Sequence, residues 1–137
     1  MHPKPPVTSD DTGRNSKIII PVWEGKVSPL LDTATRLLLV EVLNGAVTSR
    51  CEVLLDEEDL SRRCFRIWRL KADVLICGAL SSAFQRLLAA EPQLTIIEGI
   101  SGPAREVLQA FLQGALNRPR FLMPGSRRAH PRSGSGP

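Results

Sequence analysis

The sequence predicts an α/β domain in which a mixed sheet of five strands carries three helices. Three observations predict this class: apolar, β-branched runs typical of strands, an Asn44-Gly45 pair between two such runs, and apolar stripes at helical spacing in the second half. The chain has 137 residues, of which 42% are hydrophobic and 23% charged, as expected for one globular domain. We expect a single domain over residues 17–117, a disordered N-terminal tail over 1–16 and a basic disordered tail over 118–137.

The first half of the domain is predicted to be antiparallel. Residues 17–22, KIIIPV, form a first strand that the turn segment WEGKVSP ends. Residues 36–42 and 46–54 are apolar runs on either side of Asn44-Gly45, which is the strongest short-range signal for a hairpin. Strands two and three should therefore pair with each other.

The second half alternates helices with strands. A helix capped by Asp56 should follow the hairpin, with Leu60, Cys64, Ile67 and Trp68 on its buried face and Arg62, Arg63, Arg66 and Arg69 on the opposite, solvated face. The apolar run at 73–78 predicts a central strand, and residues 94–98 predict a fifth. Ser81 or Ser82 should cap a helix over about 83–90, and Pro103 should open the last helix.

The net charge of +4 does not predict a nucleic-acid-binding domain. Residues 118–137 contain five arginines and no acidic residue, whereas residues 17–117 contain 11 basic and 12 acidic residues. The basic charge therefore belongs to the tail, and the chain has no Tyr on which bases could stack. We expect no sequence-specific nucleic-acid partner, no membrane partner, and a cytoplasmic location, since the N-terminus lacks the apolar segment of a signal peptide.

Cysteine and histidine usage excludes several kinds of site. The three cysteines, Cys51, Cys64 and Cys77, lack the spacing of a structural zinc site, and both histidines, His2 and His130, lie in the tails. A catalytic triad or a Cys-His pair in the domain is thereby excluded. The carboxylates are scattered, with no paired acid and base, so we expect a protein that is not an enzyme.

Two loops form the candidate site. Residues 77–82, CGALSS, and residues 99–103, GISGP, each follow a strand and open a helix, so both should emerge at the carboxyl edge of the parallel strands. Backbone N–H groups at two helix starts favour an anion, and glycines allow close approach. The candidate binding residues are Gly78, Ser81, Ser82, Ser101, Gly102 and Arg105.

Cys77 is the thiol predicted at that edge, and two interpretations stay open. A thiolate beside a helix N-terminus has a lowered pKa and is a good ligand for soft metals, which makes Cys77 the candidate metal ligand. A free cysteine is equally often a small buried apolar residue.

Four segments carry a resemblance to a known family. They are KIIIPVWEGKVSPLLDTATRLLLVEVLNGAV, LKADVLICGAL, GISGPAREVLQAFLQGAL and the closing FLMPG, and in this order they resemble the dinitrogenase iron-molybdenum cofactor biosynthesis family, the NifX-like and NifB C-terminal-like domains, over about residues 17–125. The resemblance implies a ribonuclease-H-like fold without nuclease activity. It also implies a small carrier or chaperone that holds an iron-sulfur or iron-molybdenum cluster precursor.

The chain departs from that family at residues implied to be ligands. Leu30, Leu31 and Asp32 replace the His-Phe-Gly that follows V-S-P in many members, and Ser101 and Ser126 stand near positions where related sequences have cysteine. With Cys77 as the remaining thiol, a cluster needs help from a second subunit, from a cluster-assembly or acceptor protein, or from ligands that the cofactor carries. We therefore weigh a cluster carrier, as a monomer or weak homodimer, against a metal-free module on the same fold that binds a protein or a small anion.

Overall fold

The structure, a computed structural model, describes residues 15–124. Within this range the chain forms a mixed sheet and three α-helices, as the sequence predicts. The elements in chain order are β1 (Asn15–Trp23), β2 (Lys26–Val27), β3 (Arg36–Leu43), β4 (Ala46–Leu54), α1 (Leu60–Arg69), β5 (Val74–Ile76), α2 (Ser82–Ala89), β6 (Thr95–Ile97) and α3 (Ala104–Leu112).

β1 lies in the middle of the sheet, whose strand order is β4-β3-β1-β5-β6. It pairs antiparallel with β3 and parallel with β5, and β6 continues the parallel half. The β3–β4 hairpin turns at Asn44 and Gly45, whose φ angles are 56° and 81°, as a type I′ turn requires. The predicted antiparallel section and parallel section are both confirmed.

The sheet contains six strands, and the prediction of five is wrong. The additional strand, β2, pairs antiparallel with the end of β1, with Trp23 opposite Lys26. Glu24 and Gly25 have φ angles of 52° and 79° and so reverse the chain tightly. Part of the segment WEGKVSP, which was predicted to be a turn, thereby forms a short β-hairpin with the end of β1.

The two faces of the sheet bury separate apolar clusters, because successive side chains of a strand point to opposite faces. Ile18 and Ile20 of β1 pack with Val107 and Leu108 of α3 on one face. On the other face, Ile19 belongs to the cluster that contains α1 and α2, with Cys64, Ile67, Phe84 and Leu88. Helices α1 and α2 thus cover the face opposite to α3.

Helix α1 begins later than predicted, and its cap is Asp59 rather than Asp56. The Asp59 side chain accepts a hydrogen bond from the amide of Arg62 at 3.2 Å. Residues 55–58 stay outside the helix, where the carbonyl groups of Leu55 and Glu57 accept hydrogen bonds from the Arg63 guanidinium. Of the two residues predicted to cap helix α2, Ser81 is the cap and Ser82 is the first residue of the helix.

The fold extends past both predicted boundaries of the domain, 17 and 117. β1 starts at Asn15, and a 3-10 turn at Pro119–Phe121 packs the Phe121 ring into the α3 cluster. Leu122 then forms a β-bridge with Ile100. Residues 118–124 therefore complete the apolar face beneath α3. Residues 1–14 and 125–137, which belong to the tails predicted over 1–16 and 118–137, lie outside the described residues.

None of the helices within residues 15–124 is long and apolar enough to cross a membrane.

Candidate functional site

The two glycine-containing loops meet at the carboxyl edge of β5 and β6, as the sequence predicts. The Gly99 amide donates a hydrogen bond to the Gly78 carbonyl at 2.9 Å, and the Ile100 amide donates to the Cys77 carbonyl at 3.0 Å. The parallel register of the two strands carries both loops to this edge. Cys77, Gly78, Ser101 and Gly102 therefore lie on adjacent segments.

The chain itself fills the space beside Gly78. Residues 28–31 cross this edge, where the Ala79 amide donates to the Pro29 carbonyl and the Leu31 amide donates to the Ala79 carbonyl, each at 2.9 Å. A Cβ atom at position 78 would lie 2.8 Å from the carbonyl oxygens of both Ser28 and Pro29. Gly78 is thus required for backbone packing within the protein, not for the approach of a ligand.

Three amides at the two loops, which were expected to favour an anion, donate to acceptors within the chain. The Ser81 amide donates to Oδ1 of Asp32 at 2.8 Å, so a carboxylate of the protein occupies the start of α2. At the start of α3, the Ala104 amide donates to the Gly25 carbonyl at 2.8 Å. The Ser101 amide donates to the Phe121 carbonyl at 2.7 Å. The chain's own acceptors therefore take up the amides of Ser81, Ser101 and Ala104.

Of the two interpretations of Cys77, as a metal ligand or as a small buried residue, the structure favours the buried residue. Its side chain has 0% exposure and belongs to the cluster under α1 and α2. Burial, together with the smaller effects of the negative charges of Glu98 and Asp32, raises the pKa of Cys77 to about 12. The expectation of a lowered pKa is wrong, because the apolar core and two carboxylates outweigh the dipole of the nearby helix. At neutral pH the thiol is protonated.

Ser82 and Arg105 are not brought together. Both are exposed and lie in the first turns of α2 and α3, which pack on opposite faces of the sheet. Ser81 is held by its capping role, since its hydroxyl oxygen accepts from the Phe84 amide at 3.1 Å. The two predicted loops are therefore adjacent, but the helix starts that follow them lie on opposite faces of the sheet. The predicted residues do not line one pocket.

Arg63 is buried, and its assignment to a solvated arginine face is wrong. The side chain is 4% exposed. Its guanidinium donates to the carbonyl groups of Leu31, Ala34, Leu55 and Glu57. Desolvation lowers the pKa of Arg63, while the charges of Asp32 and Glu57 oppose that shift. Arg63 thus ties the start of α1 to the segment that crosses the carboxyl edge.

The remaining arginines of α1 line an open groove of about 830 Å³. Arg62, Arg66 and Arg69 contribute its positive charge, and the Phe65 ring, which is 57% exposed, contributes an apolar surface. The Arg69 guanidinium lies 5.8 Å from the centre of that ring. Glu57 neutralises part of the charge through an ion pair of 2.9 Å with Arg66. The groove along α1 is therefore lined by basic side chains, whereas the carboxylates of Asp32 and Glu98 lie near Cys77 at the carboxyl edge of the sheet.

Metal ligands are not grouped in the described part of the chain. No cluster of three or more His, Cys, Asp or Glu residues suited to hold a metal ion occurs within residues 15–124. Asp32 and Glu98 influence Cys77 electrostatically without forming such a cluster. No local sequence pattern identifies Asp32 as the partner of the α2 start, because Asp32 and Ser81 are 49 positions apart in the chain.

Comparison with known proteins identifies relatives in fold. PH0822 superposes with a TM-score of 0.66 at 16% identity over 72% of this chain and 89% of that chain. The Methanocaldococcus jannaschii protein mj0327, named as a "putative dinitrogenase", gives a TM-score of 0.63 at 18% identity, covering 74% of this chain and 91% of that chain. Its NMR structure gives 0.61 at the same identity. No protein-family model and no curated protein sequence matches this chain. At these identities the likeness establishes the fold.

Proposed function

We propose that this chain is a non-enzymatic accessory protein of nitrogenase-cofactor biosynthesis, which handles a cluster precursor jointly with a partner. Support comes from the contact between residues 77–78 and 99–100 at one edge of the sheet, because both pairs belong to segments that carry the family resemblance. The fold shared with mj0327 adds to this support. When the short strand β2 is left out and the other five strands are renumbered in chain order, the order across the sheet becomes 3-2-1-4-5. This order also supports the ribonuclease-H-like class.

The chemistry of the carboxyl edge determines how such a precursor would be held. Iron binds a thiolate that it can reach, and Cys77 is fully buried among apolar side chains with a pKa raised to about 12, so binding there would require both access through the core and loss of the thiol proton. The nearby carboxylates, Asp32 and Glu98, also disfavour an anionic cluster. We therefore assign the thiolate ligands to the cargo or to the partner protein, and only a binding surface to this chain.

Anaerobic reconstitution tests this assignment. The wild-type protein is given either iron and sulfide alone or a preformed iron-sulfur cluster that carries small thiolate ligands, and the iron that co-elutes in gel filtration is measured together with visible charge-transfer absorption. We expect co-elution with the thiolate-ligated cluster and little absorption with iron and sulfide alone. Cys77→Ala should behave like the wild type, and so should Cys51→Ala, which removes an exposed thiol.

Two outcomes would contradict the proposal in different ways. If the folded wild type retains no thiolate-ligated cluster, handling of a cluster precursor by the isolated protein is refuted. If iron and sulfide alone produce a cluster that Cys77→Ala loses, this chain supplies its own ligand and the assignment to the partner is wrong.

A second candidate function is a metal-free module that binds an acidic protein segment, and the α1 groove favours it. Arg62 and Arg69 present charge beside the exposed Phe65 ring, an arrangement suited to a peptide with carboxylates around an apolar residue. A fluorescent peptide of glutamates flanking one leucine should bind, and Arg69→Glu should weaken it at least about tenfold. Arg86→Glu, which changes an exposed arginine of α2, is the matched control. Equal affinities in the two variants would refute the groove as the site.

A further inference from the structure

The outer strand of the sheet, β4, offers an edge for pairing. It is nine residues long and pairs with β3 on one side, and no other strand within residues 15–124 lies along its second side. Its residues are exposed or half-buried throughout, so no helix of the described chain covers it. An edge strand of this length presents backbone N–H and C=O groups that can add another strand.

Charges on β4 are arranged for pairing with itself. Val40 lies opposite Arg50 and Leu38 lies opposite Glu52 in the β3–β4 register, so Arg50 and Glu52 share the face on which α3 packs. Cys51 lies between them and points to the other face, since it pairs with Leu39. We propose that a second copy of this chain pairs antiparallel along β4, with the two-fold axis at Cys51.

The charges select this register over its neighbours. A two-fold axis perpendicular to the sheet must pass midway between the two copies of one residue, because residues that lie opposite each other in the two strands must point to the same face. An axis at Cys51 places Arg50 of each copy opposite Glu52 of the other. An axis at residue 50 or 52 would instead place two arginines or two glutamates in direct opposition, which is unfavourable.

A β-bulge limits the length of the interface. The β3–β4 register shifts at Glu41/Val42, opposite the stretch from Val47 to Ser49, and a bulge twists the strand there. Regular pairing is thereby restricted to residues 49–53 of each copy. The exposed ion pair between Glu52 and Arg36, at 3.7 Å, is compatible with a second arginine approaching Glu52 from the other copy. We expect a reversible dimer rather than an obligate one.

Charge reversal of the full-length protein tests the dimer and its register. In sedimentation equilibrium, the wild type should dimerise reversibly, and Arg50→Glu should weaken the dimer roughly tenfold or more, because symmetry repeats each contact. The double variant Arg50→Glu/Glu52→Arg should restore dimerisation, since it exchanges the two charges. Arg86→Glu should leave the dimer unchanged. Circular dichroism confirms that each variant is folded.

Native Cys51 supplies an independent measurement. Of the three cysteines of the chain, Cys64 and Cys77 are buried and Cys51 is exposed, so a short bis-maleimide should link two copies through Cys51. Cys51→Ala should abolish the link. A wild type that stays monomeric at every concentration would overturn the proposal. So would a dimer that is neither weakened by Arg50→Glu nor linked through Cys51, because its interface would lie elsewhere.

Discussion

The carboxylate of Asp32 accepts a hydrogen bond of 2.8 Å from the amide of Ser81, the residue that caps α2. The bond joins the segment after β2 to the start of a helix 49 positions later. Asp32 therefore fills the position at which an external anion was expected. Negative charge at a helix N-terminus is favourable whether a ligand or the protein supplies it.

Removal of the Asp32 acceptor should destabilise the fold. We expect Asp32→Ala to lower the free energy of unfolding by about 1–2 kcal/mol, because the Ser81 amide loses its partner. Asp32→Asn should cost less, since the amide oxygen of asparagine can still accept the bond. Urea unfolding of the two variants provides the measurement, and equal losses would contradict the hydrogen bond as the source of the stabilisation.

The buried Cys77 thiol should make stability fall at alkaline pH. Its pKa is raised to about 12 from an ordinary value of 9.0, so between these values the unfolded chain releases a proton that the folded chain retains. The contribution of Cys77 is hence fully present below pH 9 and decreases as pH rises toward 12. Urea unfolding at increasing pH should show wild-type stability falling relative to Cys77→Ala by ~1.4 kcal/mol per pH unit in that window. A difference that is independent of pH would show that the thiol ionises normally.

Loss of Arg63 should be far more damaging than loss of its neighbour. Arg63→Met leaves the carbonyl groups of Leu31 and Leu55, among others, buried without a donor, and we expect a loss of about 3 kcal/mol or more. Arg62→Met removes an exposed arginine and should change the free energy of unfolding by less than about 0.5 kcal/mol. Similar losses for both variants in urea would contradict the structural role of Arg63.

Truncation of the Phe121 ring tests the extended boundary of the domain. The ring is 4% exposed and packs in the α3 cluster, so Phe121→Ala should cost about 3–5 kcal/mol. Phe65→Ala removes an exposed ring and is the matched control, for which we expect a small change. If the two variants have the same melting temperature, residues after 117 do not contribute to the fold.

Most of the architecture could be predicted because it depends on local pattern. Continuous apolar runs define β1 and β3, Asn44-Gly45 defines the hairpin between β3 and β4, and spaced apolar residues define α3. The failures lie where a contact between distant segments decides the outcome. β2 contains only two paired residues, and α1 starts late because residues 55–58 serve Arg63.

The candidate site was predictable in position but not in chemistry. Sequence order alone placed the loops after β5 and β6 at one edge, because parallel strands direct their carboxyl ends to the same side. The same sequence did not reveal that Asp32 and Gly25 supply acceptors to the two helix starts. Local sequence cannot show which distant group occupies a donor.

By itself, the sequence determined the mixed α/β class, the β3–β4 hairpin and the adjacency of the two loops, since periodicity and turn residues act within a few positions. Only the tertiary structure decided that Asp32 and Gly25 accept from the two helix starts, that Cys77 is buried near two carboxylates, and that Arg63 is internal. Hydrogen bonding, desolvation and charge interaction depend on which segments meet in space, and here the partners of Ser81 and Cys77 are distant in the chain.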